Sequence, residues 1–176
     1  VTPISFRIDI DPHGKGRGRV ITVAGRGAIK TPEKTKNWEA AFALMSARHR
    51  PAGVLDEPLV VEIVAEFARP RRMCKRSKRD PAELLGGYSG ERVPMAARPD
   101  ADNVAKAVLD AMASWWRDDA LVVDLRVRKF YHAINRRPCV RVIVRSLAAD
   151  TRDDTRGDRG GCGCGGSTAP AGTCLA

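Results

Sequence analysis

The sequence predicts an α+β fold: a single domain in which a small mixed or antiparallel sheet packs against two main helices, followed by a disordered C-terminal tail. Three observations carry this expectation. Several stretches alternate apolar and polar residues with the period of two that marks half-buried strands. Two others place apolar side chains at the spacing of an amphipathic helix. At about Ala148 the composition changes, large apolar residues all but vanish, and Gly becomes frequent. A chain of 176 residues holds one domain with a real core and is short for two. The expected division is a folded body over residues 1–147 and a tail over 148–176 that cannot repay its ordering entropy.

Taken in order, Ile4, Phe6, Ile8 and Ile10 alternate as in a strand. The turn DPHGKGRG follows, then a second short strand over residues 19–23, and the two read together as a hairpin. Thr31-Pro32-Glu33 predicts a helix start, with a capping side chain and Pro in the first helical position. Trp38, Ala41, Phe42 and Met45 then form its core stripe, up to His49, whose place at a basic helix end needs no catalytic explanation. Residues 59–67 predict a central strand, with Leu59, Val61, Ile63, Ala65 and Phe67 on one face and Val60, Glu62, Val64 and Glu66 on the other. Residues 70–99 lack sustained periodicity, and loops of that length inside a domain are usually functional or disordered. The second helix is expected over residues 103–115, burying Val104, Val108, Met112 and Trp115 and exposing Asn103, Lys106 and Asp110. Alternation resumes from Leu121 to Arg128, and after the turn Asn135-Arg136-Arg137-Pro138 a last strand covers residues 139–145.

Net charge is +10, and since the tail carries −1 the body carries +11. A polyanionic partner follows from that balance. Residues 69–98 hold nine basic residues against three acidic ones, among them Arg69, Arg71, Arg72 and Arg98 as candidate phosphate contacts. Lys15, Arg17 and Arg19 alternate through the early turn and form a second candidate set. Aromatic residues fall mostly at core positions, so backbone contact is expected rather than base stacking. Five cysteines at 74, 139, 162, 164 and 174 make no disulfide framework and point to a reducing cytoplasm. No apolar run approaches the ~18 residues a membrane span needs, and the N-terminal residues, acidic early and without an apolar core, do not read as a secretory leader.

The stretch RPDADNVAKAVLDAMASWWRDDALVVD, residues 98–124, concentrates the chemistry. Extended backbone after Pro99 would point Asp100 and Asp102 the same way, and one of Asp118 and Asp119 could join them. Asp102 also suits the helix N-cap. Carboxylate oxygens with open positions favour Mg²⁺, with Mn²⁺ as a substitute, over zinc. Such a site polarises a phosphoryl oxygen and activates water. Lys106, one turn into the helix, would neutralise charge that builds in the transition state.

The same residues resemble the signature of RusA-type Holliday junction resolvases, crossover-junction endodeoxyribonucleases of bacteria and phages. Asp100, Asp102, Asn103, Lys106, Asp110, Asp118, Asp119 and Val122 fill its pattern, with Leu121 where Gln is frequent. GKGRGRV and KTPEKTKNWE resemble the family's basic turn and helix start, so the likeness spans residues 4–144. It implies a homodimer that cuts four-way, branched DNA by paired Mg²⁺-dependent incisions in recombination and repair. It implies Asp100, Asp102 and Asp119 as the acidic, metal-holding triad, Lys106 as a required lysine, and Asn103 among the DNA-contacting residues. A catalytically inactive branched-DNA-binding protein of the same fold is the alternative. Cutting opposed strands of a symmetric junction calls for two sites related by a two-fold axis, and apolar side chains near Trp115-Trp116 are a candidate interface.

Overall fold

The computed structural model describes residues 2–23, 26–76, 78, 84 and 90–148. The expected disordered tail from residue 149 onward, with Cys162, Cys164 and Cys174, lies outside them, as does Arg79 of the basic loop. The fold is α+β. Its elements run β1 (Ile4–Ile8), β2 (Arg19–Val23), β3 (Arg26–Lys30), α1 (Glu33–Ser46), β4 (Leu59–Phe67), β5 (Val93–Pro94), α2 (Ala101–Ala111), β6 (Val122–Tyr131) and β7 (Cys139–Ser146).

Five strands make one mixed sheet in the order β1-β7-β4-β6-β5. β4 is the central strand, antiparallel to β7 on one side and parallel to β6 on the other. The expected hairpin between residues 4–10 and 19–23 does not form. β1 instead pairs antiparallel with β7, from Ile4 opposite Val144 to Ile8 opposite Val140. That pairing buries Phe6 and Ile8 beside Val140, Val142 and Val144, which a local hairpin would have left outside the core. β2 pairs with β3 as a separate two-stranded ribbon. Ala24-Gly25 between two short runs is the sequence signal that would have found β3.

Both helices cover one face of the sheet. α1 buries Thr35, Trp38, Phe42 and Ser46, so its stripe runs through Ser46 while Met45 is 40% exposed. Its cap is Pro32, in extended conformation, and no side chain caps the helix; the expected Thr31 cap is absent. Phe42 lies fully buried between Trp38 (5.1 Å) and Phe6 (6.5 Å). His49 stacks on Phe6 at 5.0 Å, which accounts for it as a packing residue. Phe42→Ala is expected to cost about 3–5 kcal/mol, read from the midpoint of a denaturant melt; a loss under about 1 kcal/mol would place the core elsewhere.

The helix-free face of the sheet is charged. Glu62 accepts from Arg145 at 2.6 Å and lies 3.5 Å from Arg128, while Glu66 pairs with Arg141 and, at 3.8 Å, Arg92. Both glutamates are largely buried, so the arginines are what make their burial tolerable. On this face Cys139 is buried, and desolvation, reinforced by the nearby Glu66 carboxylate, raises its thiol above the usual range, leaving an inert thiol.

Candidate active site

α2 begins at Ala101, two residues before the sequence suggested, and its N-cap is Asp100 rather than Asp102. Asp100 has φ −68° and ψ 154°, and its carboxylate makes no capping bond. Asp102 lies in the first helical turn, where the positive end of the helix dipole favours an acid. Asp102 is thus helical, so the two carboxylates are neighbours at a helix start rather than i and i+2 of an extended strand. Lys106 follows one turn later, its Nζ 3.5 Å from Asp102 Oδ2, with both side chains 62% exposed. An exposed pair at that spacing contributes little stability, so Lys106 is free to serve another anion.

Several contacts fix this corner. Lys129 donates from Nζ to the carbonyls of Ala97 (2.8 Å) and Pro99 (2.6 Å), tying the segment before Asp100 to the far end of β6. The peptide between Arg98 and Pro99 is cis. The loop after β1 docks against the same corner, its Lys15 N–H donating to the Asn103 carbonyl at 2.8 Å. A Cβ on Gly14 would stand 2.3 Å from Pro99 Cβ, so only glycine lets the backbone come this close. Gly16 N–H donates to Thr35 Oγ1 at 3.2 Å, joining the loop to α1 as well. Gly14→Ala is expected to destabilise by about 1–3 kcal/mol through overpacking and to displace Asp100. Unfolding and cleavage assays on the variant check this, and wild-type values in both would show the loop is loosely held.

Between loop and helix opens a cleft of about 580 Å³ lined by Lys15, Arg17, Arg98, Pro99, Asp100 and Asn103. The cleft therefore brings together Asp100, Asn103, Arg17 and Arg98, while Asp102 and Lys106 pair on the adjoining first turns of α2. Lys15 lines the cleft but its Nζ is ion-paired with Asp110, which gives Asp110 a role as the loop's anchor. Residues 15–18 are not a strand, so the expected single face of Lys15, Arg17 and Arg19 is not built; Arg19 begins β2, and its side chain is outside what is described. Arg69, expected among the DNA contacts, is held within the fold. It is 8% exposed, and it donates to the carbonyls of His132 (2.7 Å) and Glu91. Arg71 and Arg72 are exposed on a 3-10 turn.

The third acid lies elsewhere. Asp118 caps a 3-10 turn, its carboxylate accepting from Ala120 N–H at 2.8 Å. Asp119 is exposed, with Oδ1 accepting from the Trp116 indole N–H at 2.8 Å and Oδ2 remaining available. Trp116, like Trp115, is buried, so the pair offers no exposed interface. Asp119 stands just before the start of β6, whereas Asp100 follows Pro99, whose carbonyl accepts from Lys129 near the strand's end. Seven residues of strand separate Val122 from Lys129, roughly 23 Å at about 3.3 Å each. The eleven residues of α2 separate the two acids on the same scale, roughly 16 Å. Among the described residues no three His, Cys, Asp or Glu side chains gather to hold a metal ion. Asp100 and Asp102 thus lie together at one end of α2 and Asp119 beyond the other.

Sequence reasoning missed Lys129, Trp116 and Gly14 as parts of the site. Lys129 reads locally as an ordinary strand residue, Trp116 as part of a candidate apolar interface, and Gly14 as one glycine among several in a turn. Among the described residues no helix is long and apolar enough to cross a membrane.

Residues 9–145 match the family model described as Endodeoxyribonuclease RusA. A protein of Bacillus subtilis (strain 168) described as "Uncharacterized protein YqaN" is 30% identical over 148 residues, covering 83% of this chain and 98% of its own length.

Proposed function

The chain belongs to the RusA family of endodeoxyribonucleases, and from that membership we propose that it resolves four-way DNA junctions as a Mg²⁺-dependent homodimer in recombination and repair. The observation that carries the reading is the corner at the start of α2, where Asp100 lines a basic cleft and Asp102 pairs with Lys106 on the first turns of the helix. The family acts on branched DNA. The body charge of +11 suits a partner of that kind.

Asp100 and Asp102 of one subunit, with Asp119 of the partner subunit, would hold the ion. The split of the acids to opposite ends of β6 supports this sharing, because among the described residues of one chain no complete set gathers. When bound, Mg²⁺ supplies Lewis-acid activation of the phosphodiester and of the attacking water. The chain's own residues do the rest. Arg17, Arg98 and Asn103 seat the phosphate backbone in the cleft, and Lys106 offsets negative charge building on the phosphoryl oxygens. Trp116 aims the carboxylate of Asp119 through its indole N–H. Arg71 and Arg72 extend the basic surface along the loop after β4.

Incubation of the purified chain with a synthetic four-way junction tests this. Nicked duplexes are expected with Mg²⁺ and none with EDTA. Junction binding that is steeply salt-dependent but never leads to cutting would make the chain a branched-DNA-binding protein instead.

A further inference from the structure

The helix-free face of the sheet carries more cations than its buried acids need. Glu62 and Glu66 are shared among the guanidiniums of Arg92, Arg126, Arg128, Arg141 and Arg145. One good cationic partner each would make the two carboxylates tolerable in the fold, so the surplus has no structural reason. Its arrangement is specific. Arg7 of β1 stands directly opposite Arg141 of β7, Arg141 opposite Val64 of β4, and Val64 opposite Arg128 of β6. One row across four strands thus holds three arginines and no acid. Like charges directly opposed on neighbouring strands are destabilising, and here they are kept. Asp9 engages Arg7 from the end of β1, and Glu66 engages Arg141 from the next row.

Two clefts flank the row. One, of about 330 Å³, is lined by Arg7, Arg92, Arg136 and Arg141 together with Glu66 and Glu91. The other, of about 270 Å³, has Arg92, Arg128 and Arg141 around Ser5, Val64 and Ile143. Arg92 and Arg141 line both. The Nε of Arg141 is buried with no hydrogen-bond partner among the described residues, a donor left over after Glu66 is satisfied.

We propose that this row is a second DNA-binding track, which takes the phosphodiester backbone of a segment other than the one in the cleft beside Asp100. Three features fit that occupant. The cations of the row and of both clefts are all arginines, whose planar fork matches the oxygens of a phosphate. The second is length. With strands about 4.8 Å apart, three spacings from Arg7 to Arg128 make a row of roughly 14 Å, the rise of about four phosphates on one strand of a duplex. The third is placement. Arg128 lies in the row, while Lys129, the next residue and on the opposite face of β6, holds Ala97 and Pro99 of the catalytic corner. Row and corner are back to back across one strand. A single straight segment cannot fill both, and a branched substrate has further arms to offer.

The choice of DNA as occupant rests on the nuclease reading; the surplus of arginine does not. Two measurements on the full-length chain, made in EDTA so that nothing is cut, test it. The first is junction affinity against salt. Arg7→Gln combined with Arg128→Gln should weaken binding about tenfold at physiological salt and flatten the slope of log K against log salt by about 1.8, the effect of two lost phosphate contacts. Arg48→Gln combined with Arg117→Gln removes the same charge from exposed positions elsewhere and should leave both values near wild type. The second measurement keeps every arginine in place, so it holds even where the double variant fails to fold. In protein with Cys74, Cys162, Cys164 and Cys174 replaced by Ser, Ser5→Cys sets a thiol beside the row. It should react freely with a maleimide alone and about tenfold more slowly under saturating junction DNA. Leu44→Cys, at a position 79% exposed on α1, should react equally fast in both.

Equal labelling of Ser5→Cys with and without DNA overturns the proposal, and so does wild-type affinity and slope in a folded Arg7→Gln, Arg128→Gln variant. Slow labelling of Ser5→Cys before DNA is added also overturns it, since the chain's own tail or a second copy would then cover the row. Poly-glutamate that protects Ser5→Cys as well as DNA of equal charge would make the occupant an acidic protein surface instead. A row protected by DNA in a chain that cuts no junction keeps the track and removes the nuclease reading. A junction-cutting chain whose row is indifferent to DNA removes the track alone.

Discussion

Asp100→Asn is expected to lower cleavage of a four-way junction on the order of 10³-fold while junction binding persists. Asparagine keeps the size of the side chain and leaves the α2 cap unchanged, because the Asp100 carboxylate makes no capping bond. What it removes is the negative charge that a hard divalent ion requires. The cleft also loses a repulsive charge toward phosphate, so affinity measured by gel shift in EDTA should be equal or higher. Asp119→Asn should lose cleavage to the same extent, with the added possibility of a reoriented side chain at its bond to Trp116. Cleavage by either variant within tenfold of wild type would remove that residue from the catalytic set.

A mixture of the two inactive variants should recover cutting. If Asp100 acts with Asp119 of the partner subunit, a mixed dimer has one site carrying both lesions and one site carrying neither. Random exchange makes half of the dimers mixed, so roughly a quarter of wild-type sites are restored. Those dimers hold one working site each, and the expected product is a junction nicked on one strand rather than a pair of resolved duplexes. Acids acting within one chain predict the opposite, since every site in every dimer would then carry a lesion. The experiment separates the two arrangements without a structure of the dimer. It also distinguishes a misfolded variant, which would rescue nothing, from a folded one lacking a ligand.

Local pattern was a faithful guide wherever neighbours in sequence decide the outcome. The alternation through residues 59–67 gave the bounds of β4 and its core face, and Val104, Val108, Met112 and Trp115 are all buried as their spacing required. The strand at residues 139–145 was extended by one residue. Where partners are distant the pattern was silent. Nothing near Ile4–Ile8 indicates that its partner is β7, more than 130 residues later, and the default of pairing with the next strand failed. Arg69 shows the same limit in a charged residue. A basic residue leading a basic loop reads as a phosphate contact, yet its donors face the carbonyls of His132 and Glu91, which only the folded chain brings within reach.

The sequence by itself determined the class of fold, the charge that suits DNA, and the residue types at residues 98–124 that match a nuclease family. These depend on composition, period and short spacing, all of which survive without coordinates. Only the tertiary structure decided how the acids are distributed. α2 runs back along β6, so two carboxylates that lie close in sequence to a third end at opposite ends of the same strand. The physical reason is the rigidity of the two elements between them: a helix of eleven residues and the strand beside it set a distance that no side chain spans.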